Sequence, residues 1–152
     1  MTQKWDIRFL ELSKLIASWS KDPSTGVGAV LVDEYKQVVG MGYNGFARGV
    51  IDSEERYNDR PTKYKMVVHA EQNAIIQAGH AAHGCTLYVY PSFWHPNICH
   101  DCAKLAIQAG IKCVVGYKAD ENNPRIANWK ESLELSGQMF REAGVDWRVV
   151  SV

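Results

Sequence analysis

His69-Ala70-Glu71 and, farther along, Cys99-His100-Asp101-Cys102 are the residues of this chain whose types and spacing could do chemistry. One imidazole and two thiolates make three N/S ligands, and a catalytic zinc takes three because its fourth position stays open to water. Glu71 stands close to one ligand without being one. A carboxylate so placed can take a proton from water on the metal and return it to a substrate. Each half alone is weak. A His beside a Glu on a helix is usually a solvated surface pair, and a Cys-x-x-Cys is also a redox dithiol or half of a structural zinc knuckle. A redox pair has no use for His-Ala-Glu. A four-ligand structural site needs one more His or Cys, and His80, His83, Cys85, His95, His100 and Cys113 are all candidates for it.

Positioning these groups is within reach of one compact domain spanning residues 1–152. With 46% apolar and 22% charged residues the chain can bury a full core, and it is too short for two ordinary domains. No apolar run approaches a membrane span, and Met1 to Asp6 lacks a secretory apolar stretch, so a soluble cytoplasmic protein is expected. Lys plus Arg and Asp plus Glu stand at 17 each, which removes the electrostatic drive for sequence-independent nucleic-acid binding and favours a small substrate over a polynucleotide. In a reducing compartment the 4 cysteines read as two ligands, Cys99 and Cys102, and two core thiols, Cys85 and Cys113.

Apolar residues Phe9, Leu12, Ile16 and Trp19 recur at helical spacing from Trp5 to Trp19, and Asp22-Pro23-Ser24 closes that helix. Val27 to Val32 and Gln37 to Met41 read as an antiparallel hairpin. Asn44 to Lys65, charged and aperiodic, reads as the long loop of the domain and a functional suspect. Helices are expected over His69–Gln77, Cys99–Gln108 and Ile126–Ala143, and strands over Thr86–Tyr90, Lys112–Gly116 and Val145–Val150. That order predicts a mixed sheet with helices on both faces. If both motif helices begin at one end of the sheet, their N-termini meet in a crevice beyond the strand ends, and Cys99 and Cys102 share a helix face.

The combination of His-x-Glu with a later Cys-x-x-Cys resembles the zinc-dependent nucleobase deaminases. Four blocks narrow the resemblance to deoxycytidylate (dCMP) deaminases: Ser20 to Ala29, Gly42-Tyr43-Asn44-Gly45, Thr62-Lys63-Tyr64 leading to His69 through Ile75, and Cys102 to Ile111. The similarity runs from Trp5 to Arg148. It implies a three-layer α/β/α sandwich around a mixed five-stranded sheet of the cytidine deaminase type. It further implies Zn2+ on His69, Cys99 and Cys102, Glu71 as proton shuttle, the Ala70 backbone N–H on the pyrimidine carbonyl, and Asn44 on the sugar. The resemblance implies a homo-oligomer, hexameric as in many members, with dCTP and dTTP as effectors as in the regulated relatives.

Two departures from the family pattern stand out. Pro96 is separated from Cys99 by Asn97 and Ile98, in a segment Tyr90–Ile98 whose counterpart in relatives lies over the base. Between Asp52 and Arg60 the sequence has no clear counterpart, and Arg48, Arg56, Arg60, Lys63 and Lys65 are alternative phosphate contacts interleaved with acids. The expected activity is hydrolysis of dCMP to dUMP and ammonia, feeding thymidylate synthesis. Deamination of another small cytosine nucleoside or modified nucleotide is the second reading, and a zinc-stabilised binding protein without catalysis the third. A structural zinc site has no use for Glu71.

Overall fold

The computed structural model describes residues 3–92, 98–120, 122–124 and 126–151. Helix α1 (Gln3–Ala17) buries Asp6, Phe9, Leu10, Ser13, Ile16 and Ala17, a stripe at three- and four-residue spacing. Strands β1 (Gly28–Val32) and β2 (Val38–Tyr43) form the expected hairpin, with Lys36 in its turn at φ 65°. Next come β3 (Gly45–Phe46), α2 (Glu54–Asn58), α3 (Arg60–Met66) and β4 (Val67–Val68). The chain continues with α4 (Ala70–Ala78), β5 (Thr86–Tyr90), α5 (His100–Gln108), β6 (Cys113–Tyr117), α6 (Ile126–Ala143) and β7 (Asp146–Val150).

The five long strands lie in the order β2-β1-β5-β6-β7. β1 runs antiparallel to β2 and β5, while β5, β6 and β7 are mutually parallel, so the sheet is mixed as expected. Alternate residues of each strand face opposite layers. Ala29, Leu31, Leu87, Val89 and Val114 enter a core with α4, α5 and α6, whereas Val30, Val32, Tyr88, Cys113 and Val115 enter a second core under α1. Cys85 and Cys113 are buried core thiols, also as expected.

Under α1 the buried Asp6 carboxylate accepts from the Tyr88 hydroxyl at 2.7 Å and from Arg148 at 2.9 and 3.1 Å, joining the first helix to the last strand. α4 lies close on β2 because Gly42 has no side chain: a Cβ there would stand 2.6 Å from the Ala70 carbonyl oxygen. No helix among the described residues is long and apolar enough to cross a membrane.

The reading of Asn44 to Lys65 as an irregular loop is corrected. It contains β3 and two short helices, and Ser53 starts α2 by accepting the Arg56 N–H on its hydroxyl. Pro61 occupies the first turn of α3, where its missing N–H costs nothing. Helices this short show too little of a 3.6-residue period to be recognised. His69 is also corrected by one position. It precedes α4 as N-cap, in extended backbone, instead of sitting in the first turn.

Candidate active site

His69 and Cys99 hold equivalent places, each the N-cap of a helix in extended conformation, φ −74°, ψ 153° and φ −70°, ψ 164°. Gln72 fixes the first by accepting the His69 N–H at 2.9 Å. One turn into α5, Cys102 comes round to the same face as Cys99. The helix N-termini meet, and His69 Nδ1 lies 3.2 Å from Cys102 Sγ and 3.4 Å from Cys99 Sγ. A tetrahedral zinc bonded at about 2.3 Å to sulfur and about 2.0 Å to nitrogen would separate such donors by about 3.5 Å, so the three atoms fit around that ion. Among the described residues no further His, Cys, Asp or Glu joins this group. His80, His83, Cys85, His100 and Cys113 therefore drop out as fourth ligands. His95, with Phe93, Trp94, Pro96 and Asn97 of the segment expected over the base, lies outside the described residues.

The electrostatics suit a dication. A hydrogen bond from the Cys102 thiol and another from His69 hold Cys99 at about 4 despite its burial. Cys102, as donor to Cys99 and deeply buried, is pushed up instead. Its hydrogen bond to Cys99 raises His69 to about 9. Zinc takes the imidazole and both sulfurs in their deprotonated forms, so its binding would release protons from this group. Burial pushes the Glu71 carboxyl up, against the opposing pull of His69. It is 5% exposed, beside the metal group and outside it.

A cavity of about 400 Å3 opens onto these groups, lined by His69, Ala70, Glu71 and Cys99 at one part and by Asp22, Asn44 and Lys63 at another. Ala70 opens α4, so its N–H has no carbonyl to meet within the helix. The Asn44 amide is largely occupied: Oδ1 accepts from the Val27 N–H at 2.8 Å, while Nδ2 donates to Thr25 O at 3.0 Å and Asp22 Oδ2 at 3.3 Å. Of the five basic candidates, Arg60 and Lys63 line the cavity; Arg48, Arg56 and Lys65 do not.

α6 closes the site from the other side with Asn128, Trp129 and Leu133, and Trp129 meets Tyr64 of α3 edge-on at 6.4 Å. Two serines secure α6 to the metal loop. Ser132 Oγ accepts the His100 N–H at 2.9 Å, and Ser136 donates to the Ile98 carbonyl at 2.9 Å. Neither Ser132 nor the Asp22–Lys63 pair is singled out by the motif. In the sequence Lys63 stands out only as one of five basic candidates and, like Asp22, as a member of a family-like block; nothing there pairs the two.

Residues 3–118 match the family model for the cytidine and deoxycytidylate deaminase zinc-binding region. The chain belongs to this deaminase family. Its metal is accordingly zinc, and His69, Cys99 and Cys102 are the group positioned to hold it. Deoxycytidylate deaminase of Mus musculus is 37% identical over 153 residues, covering 95% of this chain and 79% of that one. An uncharacterised deaminase of the luxG 3′ region of Aliivibrio fischeri is 38% identical over 148 residues, 96% and 93% of the two chains. The fold matches that of dCMP deaminase from the cyanophage S-TIM5, with TM-score 0.72, 21% identity, and 99% and 100% of the two chains covered.

Proposed function

We infer that the protein is a zinc-dependent dCMP deaminase, a hydrolase that converts dCMP to dUMP and ammonia and so supplies thymidylate synthesis. The observation that carries this is Glu71, a buried carboxyl next to a three-ligand metal group that leaves a coordination position open. Deoxycytidylate deaminases among the relatives supply the substrate.

Zinc, when bound, lowers the pKa of a water toward roughly 7 and so makes hydroxide available near neutrality. Glu71 accepts the proton released and delivers it to N3 of cytosine while oxygen adds at C4. The tetrahedral adduct then needs a proton on its amino nitrogen. Glu71 relays it from the new hydroxyl, the C4–N bond breaks, and ammonia leaves a C4 carbonyl. The Ala70 N–H holds the pyrimidine carbonyl, and Asn44, through the remaining lone pair of Oδ1, takes a sugar hydroxyl. Four free cysteines support a reducing, cytoplasmic setting for this single catalytic domain. Exposed Trp19, Met41 and Tyr43 near the sheet's β2 edge support a homo-oligomer. Hexamer formation, and a response to dCTP and dTTP, complete the reading and are checked by light scattering and by adding each nucleotide to the assay.

The test is ammonia release from dCMP, CMP, deoxycytidine, cytosine and 5-methyl-dCMP. We expect kcat/KM for dCMP to exceed that for deoxycytidine tenfold or more, about 1.4 kcal/mol, with the gap narrowing as salt is added. Equal kcat/KM for the two at low salt would replace dCMP by a nucleoside as the natural substrate.

A further inference from the structure

We propose that the pocket reads the two polar parts of its nucleotide with two different cations: Lys63 donates to the sugar hydroxyl, and Arg60, one turn earlier on α3, meets the phosphate. The inference rests on the dCMP reading and assigns the contacts that the reading leaves open.

Lys63 is a buried cation. Its Nζ lies 2.9 Å from Asp22 Oδ1, 2.8 Å from Asp22 Oδ2 and 2.7 Å from Ser24 Oγ, with side-chain exposures of 10% for Lys63 and 3% for Asp22. Replacing such a pair by apolar side chains of the same volume is often neutral or stabilising, so its place in a cavity wall calls for another reason. Asp22 cannot meet substrate readily. Oδ1 also accepts from the N–H and hydroxyl of Ser24, and Oδ2 takes the Asn44 amide. Lys63 has capacity left if the two oxygens of the one Asp22 carboxylate share an N–H: Ser24 Oγ then takes a second, and the third of the ammonium's three N–H groups is left for a ligand.

The carboxylate decides what that third N–H suits. With Asp22 cancelling its charge, Lys63 offers little net attraction to a phosphate dianion but keeps a well-placed donor, which matches a neutral hydroxyl. dCMP has one sugar hydroxyl, on C3′, since C2′ is bare and O5′ carries the phosphate. A hydroxyl both accepts and donates. Lys63 supplies the first partner and the free lone pair of Asn44 Oδ1 the second, so Asn44, aligned by Asp22, and Lys63 form one recognition pair.

Arg60 differs in each respect. It is exposed, it lines the cavity, and among the described residues it pairs with no carboxylate. Its full charge and forked donors suit a phosphate at the mouth.

The experiment measures kcat/KM of the zinc-loaded protein on dCMP, deoxycytidine and 2′,3′-dideoxycytidine 5′-monophosphate. Arg60→Ala should shrink the dCMP-to-deoxycytidine ratio about tenfold and leave the dCMP-to-dideoxy ratio in place. Lys63→Met, made together with Asp22→Asn so that no lone charge stays buried and compared with the wild type, should do the reverse. Salt should narrow the Arg60-dependent ratio and spare the Lys63-dependent one. Ratios that move together in either variant, or that stay put in both, overturn the proposal. Arg60 is exposed, so its arm decides even if the buried pair cannot be replaced without unfolding. Wild-type protein inert toward dCMP sinks the dCMP reading and this inference with it, whereas normal turnover with unmoved ratios sinks this inference alone.

Discussion

Glu71 is buried beside His69 and Cys99 without belonging to the metal group, so replacing it separates chemistry from metal binding. Glu71→Ala should keep its zinc and its fold while turnover falls by ~10²–10⁴, the range for a lost acid–base group, and Glu71→Gln should behave alike. Metal analysis beside ammonia release reads both; unchanged turnover would remove Glu71 from the chemistry. Cys99→Ala and Cys102→Ala should instead lose zinc and melt at lower temperature, because metal binding is coupled to folding. Full zinc occupancy in both would refute the ligand assignment. Asp22 answers to pH. Burial alone would raise its carboxyl, yet hydrogen bonds from Lys63, Ser24 and Thr25 hold it below the ordinary 3.8. A group depressed in the fold adds stability above its unfolded pKa and loses it as pH falls through the folded value. Asp22→Asn should therefore cost about 3–5 kcal/mol at neutral pH by stranding Lys63. It should also flatten the loss of stability in acid, as urea titrations across pH will show.

The helices divide by length in how they could be read and in what they hold. α1 and α6, of 15 and 18 residues, repeat their apolar stripe often enough to be found from spacing alone. α2 and α3, of 5 and 7 residues, do not: the charge of Asn44 to Lys65 marks the segment as functional, but nothing in it announces the helices that turn Arg60 and Lys63 into the cavity wall. The metal ligands were legible because Cys99 and Cys102 lie within one turn and His69 brings its own signature in Glu71. Lys63 meets Asp22 across 41 positions, a contact no local pattern announces. The same holds for α6, whose buried Ser136 donates to the Ile98 carbonyl next to Cys99 across 38 positions. Ser136→Ala should leave that carbonyl without its donor, at about 1–3 kcal/mol, and let zinc escape faster. Chelator competition measures the escape; an unchanged rate would mean that α6 only roofs the cavity.

Across the molecule the two faces of the sheet have separate tasks. Every proposed site residue on α4 and α5 lies on one face, while α1 covers the other with a core and the Asp6, Tyr88 and Arg148 network. That network joins residues 142 positions apart. Val150 is buried in the same core as Phe9 and Leu10, so the last strand finishes against the helix with which the described chain starts. The order in which the chain threads this fold is therefore open to rearrangement. A flexible linker leading from β7 back to α1 would make a circular permutant, with new termini cut at exposed Lys36 in the β1–β2 turn. Such a circular permutant should fold, hold zinc and deaminate, since no ligand or cavity residue lies in that turn; an insoluble or zinc-free product would show that the hairpin must be continuous for the sheet to form.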